Sequence, residues 1–268
     1  MTPVRSERVR PELYFVGSAI FHYLGPAFAV LLFARIDPLG VAWLRIASAG
    51  AVFALWRRPW RALRAADRET KRLVFALGLV FAVMNSCFYV AIDRLPLGTV
   101  AAIEFLPVIG LAALGARTLR NAFALALAAP GVYVLTDVRL EGNPLGVAFA
   151  FANAGLFALY IVLAHRISRS TALNRIDGLA AAMLVATIAI TPIGGWAAAP
   201  ALLDPVALAA GIGVGLASSV ISYVFDQLAV ARLTRATYSL MVSLLPATAT
   251  VIGVLVSRRF PRRSRRSA

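Results

Sequence analysis

Two side chains of opposite charge, Arg45 and Glu104, sit inside long apolar stretches of this chain. An ionisable group in hydrocarbon costs several kcal/mol unless it is paired or hydrated, so each marks a candidate site. Arg45 lies six residues into the run Leu39–Trp56, and Glu104 seven residues into Leu97–Leu114. Both runs descend from the outer side, which puts each group about 10 Å below that surface at roughly 1.5 Å per residue. At matching depth the two can pair across a cavity, or divide the charges of an amino acid between them. A zwitterion needs one partner of each sign, and this couple offers both. A carboxylate held away from water is also a candidate carrier for the proton of an antiport cycle. The plainer alternatives are a structural ion pair, or an Arg45 stem that snorkels to the outer headgroups.

Other polar groups lie at membrane depth. Asn85 and Tyr89 are four residues apart and Asn153 and Tyr160 seven apart, so each couple shares one helix face. Such stripes either line a pathway or make interhelical hydrogen bonds worth under about 1 kcal/mol each. Asp226, followed by Gln227, reads as an interfacial carboxylate facing cytoplasmic water or as part of an inner gate. His22, beside Gly25-Pro26, is either a titrating group or, more ordinarily, a packed one. Pro107, Pro130, Pro192 and Pro246 interrupt helical runs, where freed backbone carbonyls can bind solutes or a kink can simply be tolerated. The Gly211-x-Gly213-x-Gly215 series and Ser218-Ser219 read as close helix packing; no strand precedes the glycines, which excludes a dinucleotide loop.

Several chemistries are excluded. His22 and His165 are the two histidines and Cys87 the one cysteine, so no metal cluster and no intramolecular disulfide can form. No nucleophile stands with a base on matching helices, and neither HExxH nor GxGD occurs, so an intramembrane enzyme is the weaker alternative. No cofactor is expected. A net charge of +15 would point to nucleic acid in a soluble chain, but here the basic residues fall mostly between apolar runs and read as topology signals.

The elements that must position these groups are membrane spans. With 60% apolar and 15% charged residues, the chain has too little polar surface to cover a water-facing globule. Its longest polar gap, Arg57 to Arg72, is too short for a soluble catalytic domain. About 20 mainly apolar residues cross the hydrocarbon core. Nine runs qualify: Leu13–Phe33, Leu39–Trp56, Leu73–Ala91, Leu97–Leu114, Asn121–Thr136, Leu145–Ala164, Gly178–Trp196, Val206–Leu228 and Tyr238–Val256. The first is too long for a signal peptide and lacks a cleavage site, so it is expected to be retained. A cytoplasmic N-terminus leaves seventeen Lys and Arg in inner segments against Arg35, Arg94 and Arg139 outside, and the bias sets the orientation. The six arginines of Ser257–Ala268 break the pattern. Either the ninth run does not fully cross or a tenth span is absent.

Residues 91–99, AIDRLPLGT, are echoed at 229–237, AVARLTRAT, and EFLP at 104–107 by SLLP at 243–246. The offset spans five runs, an odd number, so two copies cross the bilayer in opposite senses. The expected fold is an all-α, multi-span membrane helix bundle built as an inverted repeat of two five-helix units. The first repeat covers residues 13–136, the second 145–256 with four helices visible, and a basic tail follows at 257–268.

At these residues the chain resembles the EamA family of the drug/metabolite transporter superfamily, and most of all its threonine/homoserine exporter branch. The stretches FYVAIDRLPLGTVAAIEFLP, LEGNPLGVAFAFANAGLFALYIVLAHRI and SSVISYVFDQLAVARLTRATYSLMVSLLPATATVIG carry the resemblance, which runs from Leu13 to Val256. It implies ten helices, both termini in the cytoplasm, and export of small amino acids across the inner membrane by proton antiport with alternating access. The partners implied are a small-molecule substrate, protons and the lipid bilayer, with a homodimer left open. Ser222 and Thr234 stand where family members often have proline, and the last helix is missing, so an inactive remnant is the alternative within the family.

Overall fold

The computed structural model describes residues 10–115, 143–168, 173, 175–230, 232–233, 241 and 245–259. The fifth expected run, Asn121–Thr136 with Pro130, lies outside the described residues, as do Thr234 and the tail from 260 onward. Every described element is helical: α1 (Pro11–Leu32), α2 (Pro38–Arg57), a short α3 (Pro59–Ala65), α4 (Arg68–Arg94), α5 (Leu97–Gly115), α6 (Pro144–Ser168), α7 (Arg175–Ile190), α8 (Ala199–Leu202), α9 (Pro205–Gly215), α10 (Ser222–Val230) and α11 (Leu245–Arg259). Seven of the other expected runs fall on helices, as does Tyr238–Val256 where it is described. α3 occupies the polar gap where none was expected, and α11 is described only from Leu245.

Local chemistry sets the boundaries. Pro11, Pro38, Pro144 and Pro205 each open a helix, where the missing N–H would have no partner anyway. Asp37 accepts from the Leu39 N–H at 2.9 Å, and Asp204 accepts from the N–H groups of Val206 and Ala207 at 3.0 and 3.1 Å. These are the side-chain caps that short polar residues supply to orphan donors. Arg58, at φ 48°, turns α2 off, its N–H reaching the Ala54 carbonyl at 3.0 Å before Pro59 begins α3.

Six stretches are long and apolar enough to cross a membrane: Pro11–Leu32, Pro38–Arg57, Arg68–Arg94, Pro144–Ile167, Ile176–Gly195 and Pro205–Asp226. Leu97–Pro107 and Ala247–Val256 are shorter apolar helices beside them. Large apolar side chains such as Leu55, Phe75, Phe151, Ile188, Trp196 and Leu203 face outward, while Ser18, Arg45, Asn85, Glu104, Asn153 and Ser219 are buried. Polar groups inside and apolar groups outside is the arrangement that lipid, not water, stabilises.

In the bundle α4 packs on α6 and α7, α2 on α7 and α9, α1 on α9, α10 and α11, and α5 on α6 and α11. Two π-helical turns interrupt this framework, at Thr191–Gly195 after α7 and at Leu216–Ile221 between α9 and α10. The second carries Ser218 and Ser219 into the interior. Glycine permits the close approach there. A Cβ on Gly25 of α1 would meet the Ser218 Cβ at 2.5 Å and the Val214 carbonyl oxygen at 3.1 Å. One on Gly215 would strike Ser48 and lie 2.6 Å from the Arg45 carbonyl oxygen. Gly211, Gly215, Ser218 and Ser219 thus do the packing work their composition implied, whereas a Cβ on Gly213 would meet nothing within 4 Å.

Candidate functional site

The buried charges come from two helices that start at the same end of the bundle. Arg45 stands seven residues after the start of α2 and Glu104 seven after the start of α5, so both lie about 10 Å along their helices. Arg45 is 4% exposed and Glu104 7%. They lie within electrostatic reach of one another but form no ion pair. Instead the Arg45 Nε donates to the Ser219 Oγ at 3.0 Å, and its guanidinium carbon sits 5.7 Å from the centre of the Tyr89 ring. The Glu104 Oε1 accepts from the Asn153 Nδ2 at 3.1 Å. Among the described residues, no carboxylate lies within ion-pair distance of Arg45 and no cation within that distance of Glu104.

The polar cluster around these two charges is incompletely satisfied. Three buried side-chain atoms make no hydrogen bond among the described residues: the hydroxyls of Tyr23 and Tyr89 and the Oδ1 of Asn153. The Asn153 oxygen belongs to the amide that holds Glu104, and the Tyr89 ring underlies Arg45. Tyr23, on α1, lies within reach of the Glu104 charge and carries the His22 ring edge-on at 5.0 Å. An unsatisfied buried hydroxyl or amide costs about 1–3 kcal/mol, so three around one pair of charges is a clear departure from ordinary packing.

The remaining expected residues divide. His22 approaches the Ser222 Oγ at 3.4 Å, and the Ser18 hydroxyl donates to the Ser222 carbonyl at 2.9 Å, a polar seam between α1 and α10. Asn85 is buried but turns back to donate to the Phe81 carbonyl of its own helix at 2.8 Å. Tyr160 is half-buried, stacked on Phe157 at 5.9 Å and tilted against Phe81. Asp226 is half-buried, and Tyr223 stands within electrostatic reach of Arg45, Glu104 and Asp226 together. Tyr23, Ser219, Ser222 and Tyr223 were not singled out as site residues from the sequence. Tyr23 adjoins His22, the one available signal; hydroxyl residues in an Ala/Ser-rich helix carry none.

A concavity of about 320 Å³ lies elsewhere, between α1 and α9. Its walls, including Leu24, Phe28, Leu31, Val206 and Ala210, are apolar, and it holds none of the buried polar side chains above. At the ends of the spans, two ion pairs join distant parts of the chain: Arg57 Nε to Asp177 Oδ1 at 2.8 Å, and Arg35 to Asp204 Oδ2 at 3.0 Å. The Asp204 carboxyl is held below the usual range by the Ala207 N–H first of all, with Val206 and Arg35 contributing.

A bundle of membrane-length helices closed around two buried, mutually unpaired charges defines a multi-pass membrane protein with a polar interior. Its relatives place it further. The threonine/homoserine exporter RhtA of Salmonella typhimurium (strain LT2) is 30% identical over 234 residues, covering 86% of this chain and 78% of the relative. The threonine/homoserine exporter RhtA of Escherichia coli (strain K12) is 28% identical over the same coverage. The chain belongs to the RhtA family, whose named members are exporters and not enzymes. No family model and no solved structure matches it.

Proposed function

We propose that this chain exports small amino acids of the threonine and homoserine type, using the Arg45–Glu104 chamber as the substrate site. One observation carries the reading: two buried opposite charges that do not satisfy each other. Leaving both unpaired costs several kcal/mol each, and direct pairing would relieve much of it. A zwitterion supplies the missing partners, its carboxylate on the guanidinium and its ammonium between Glu104 and the free Asn153 oxygen. Threonine and homoserine, the solutes in the relatives' names, are zwitterions.

Alternating access between two inverted halves accounts for the packing. Pairing α1 with α6, α2 with α7, α4 with α9–α10 and α5 with α11 makes the most extensive contacts reciprocal. The α4–α6 contact has its mate in α1–α10, α4–α7 in α2–α9, and α5–α6 in α1–α11, while α2–α7 and α5–α11 are their own mates. An approximate two-fold exchange of halves explains that regularity. The two ion pairs then lie beyond or at opposite ends of α2, a helix about 30 Å long: Arg35, before α2, meets the Asp204 cap of α9, and Arg57, at its end, meets Asp177 at the start of α7, each arginine from the first half and each aspartate from the second. They suit latches of an inner gate (Arg57–Asp177) and an outer gate (Arg35–Asp204), with the N-terminus cytoplasmic in the inner membrane.

Glu104 is the group in this reading that exchanges substrate for a proton, because it is a buried carboxylate held by one neutral donor. The test is threonine efflux from proteoliposomes with and without an imposed pH gradient. Glu104→Gln is expected to abolish proton-coupled export while the protein stays folded. Unchanged export would remove Glu104 from the mechanism.

A further inference from the structure

The three atoms without a partner among the described residues are chemically unequal, and matching each to a ligand group leaves one over. A carboxylate only accepts hydrogen bonds and an ammonium only donates them, whereas a phenol does both. Arg45 and, beside it, the Tyr89 hydroxyl are donors suited to the carboxylate. Glu104 and the Asn153 Oδ1 are acceptors suited to the ammonium. The Tyr23 hydroxyl remains. It is fully buried and lies within reach of the Glu104 charge, and its ring packs T-shaped at 5.0 Å with that of His22, itself 3.4 Å from the Ser222 Oγ. Neither charged end of a zwitterion needs it.

On the reading that this chamber binds a zwitterion, we infer that Tyr23 is the specificity-determining residue that reads a hydroxyl on the substrate side chain, and that Tyr89 serves the carboxylate common to all amino acids. A ligand with a hydroxyl close to its α-carbon satisfies Tyr23. An aliphatic analogue of the same volume leaves that phenol buried and unpaired, and a site built around a hydroxyl group discriminates strongly on that basis. Two tyrosines near one pair of charges thus carry separable roles, one in affinity and one in selection.

The experiment is counterflow of labelled threonine in proteoliposomes, competed by unlabelled threonine, valine, homoserine and norvaline. The unmodified protein should prefer threonine over valine, and homoserine over norvaline, by about tenfold or more, the worth of one unpaired buried hydroxyl. Tyr23→Phe keeps the ring and should lower both ratios by about tenfold with little change for valine. Tyr89→Phe should weaken all four competitors together and leave the ratios standing. The assignment is overturned if the unmodified protein binds valine as well as threonine, or if Tyr23→Phe leaves the ratios intact. Absence of threonine counterflow in the unmodified protein is a different result and removes the proposed function itself.

Discussion

Replacing Arg45 by glutamine separates a binding role from a structural one, because only the structural role predicts that stability and transport fall together. The substitution removes the Nε bond to Ser219 at 3.0 Å and the guanidinium over the Tyr89 ring at 5.7 Å. A hydrogen bond to a charged group is worth about 1.5–3 kcal/mol and a desolvated cation–π contact up to about 2 kcal/mol. Against that loss, the fold no longer buries a cation without an ion-pair partner, a relief of several kcal/mol. The two nearly cancel, so thermal melting of the purified protein in detergent is expected to change by no more than about 4 °C. Substrate binding has no such compensation. Truncating one partner of a buried charge contact costs roughly 2–5 kcal/mol, which is about 30-fold to several thousandfold in affinity. Counterflow of labelled threonine should therefore be lost at substrate concentrations that saturate the unmodified protein. Ser219→Ala removes only the anchor of the guanidinium and is expected to fall between, at about tenfold. Transport within twofold of normal in Arg45→Gln, or a collapse of melting temperature that parallels the transport loss, would refute the assignment of Arg45 to the substrate.

Three further outcomes follow from the geometry. Arg57→Asp is expected to lower transport about fivefold by repelling Asp177 across a half-buried gap, and Asp177→Arg in the same protein should restore most of it; no restoration in the double exchange would show that the pair does not couple the halves. Because Asp204 titrates below the ordinary carboxylate value of 3.8, its cap stabilises the fold above that pH and loses that contribution as pH falls through the lower folded value. The melting-temperature gap between the unmodified protein and Asp204→Ala should thus be widest near neutrality and narrow in acid, and a gap that widened in acid would be contrary. Gly25→Ala forces a methyl against the Ser218 Cβ and the Val214 carbonyl and is expected to destabilise by about 1–3 kcal/mol, whereas Gly213→Ala meets nothing within 4 Å and should be neutral or slightly stabilising in melting scans.

The span positions were legible because hydropathy and helix length answer to one constraint, the bilayer thickness. Seven runs coincide with helices for that reason, as does the described part of Tyr238–Val256, and Arg45 and Glu104 were legible because charge at that depth is rare. The α3 helix was missed since its amphipathic residues 59–65 look like a basic loop by hydropathy alone. Direct pairing of Arg45 with Glu104 was one of several readings of matching depth, and depth alone does not set azimuth. Rotation about α2 and the π-helical turn bring Arg45 to Ser219, while Asn153 on α6 takes Glu104. Asn85 shared a face with Tyr89 as expected, yet its amide folds back on Phe81, a choice that spacing does not encode. Tyr23 was invisible for a related reason: a tyrosine in a membrane helix is usually satisfied or interfacial, and its unpartnered hydroxyl is a property of the assembled bundle.

The central claim is that the chamber binds one molecule by both of its opposite charges. Ligand-induced stabilisation measures this directly, since a ligand of the native state raises melting temperature in proportion to its binding. Purified protein should be melted with threonine, with 3-hydroxybutyrate, which lacks the ammonium, and with threoninol, which lacks the carboxylate. Threonine alone is expected to raise the melting temperature, and Arg45→Gln and Glu104→Gln should each abolish the rise. Equal stabilisation by either single-charge analogue would contradict the account.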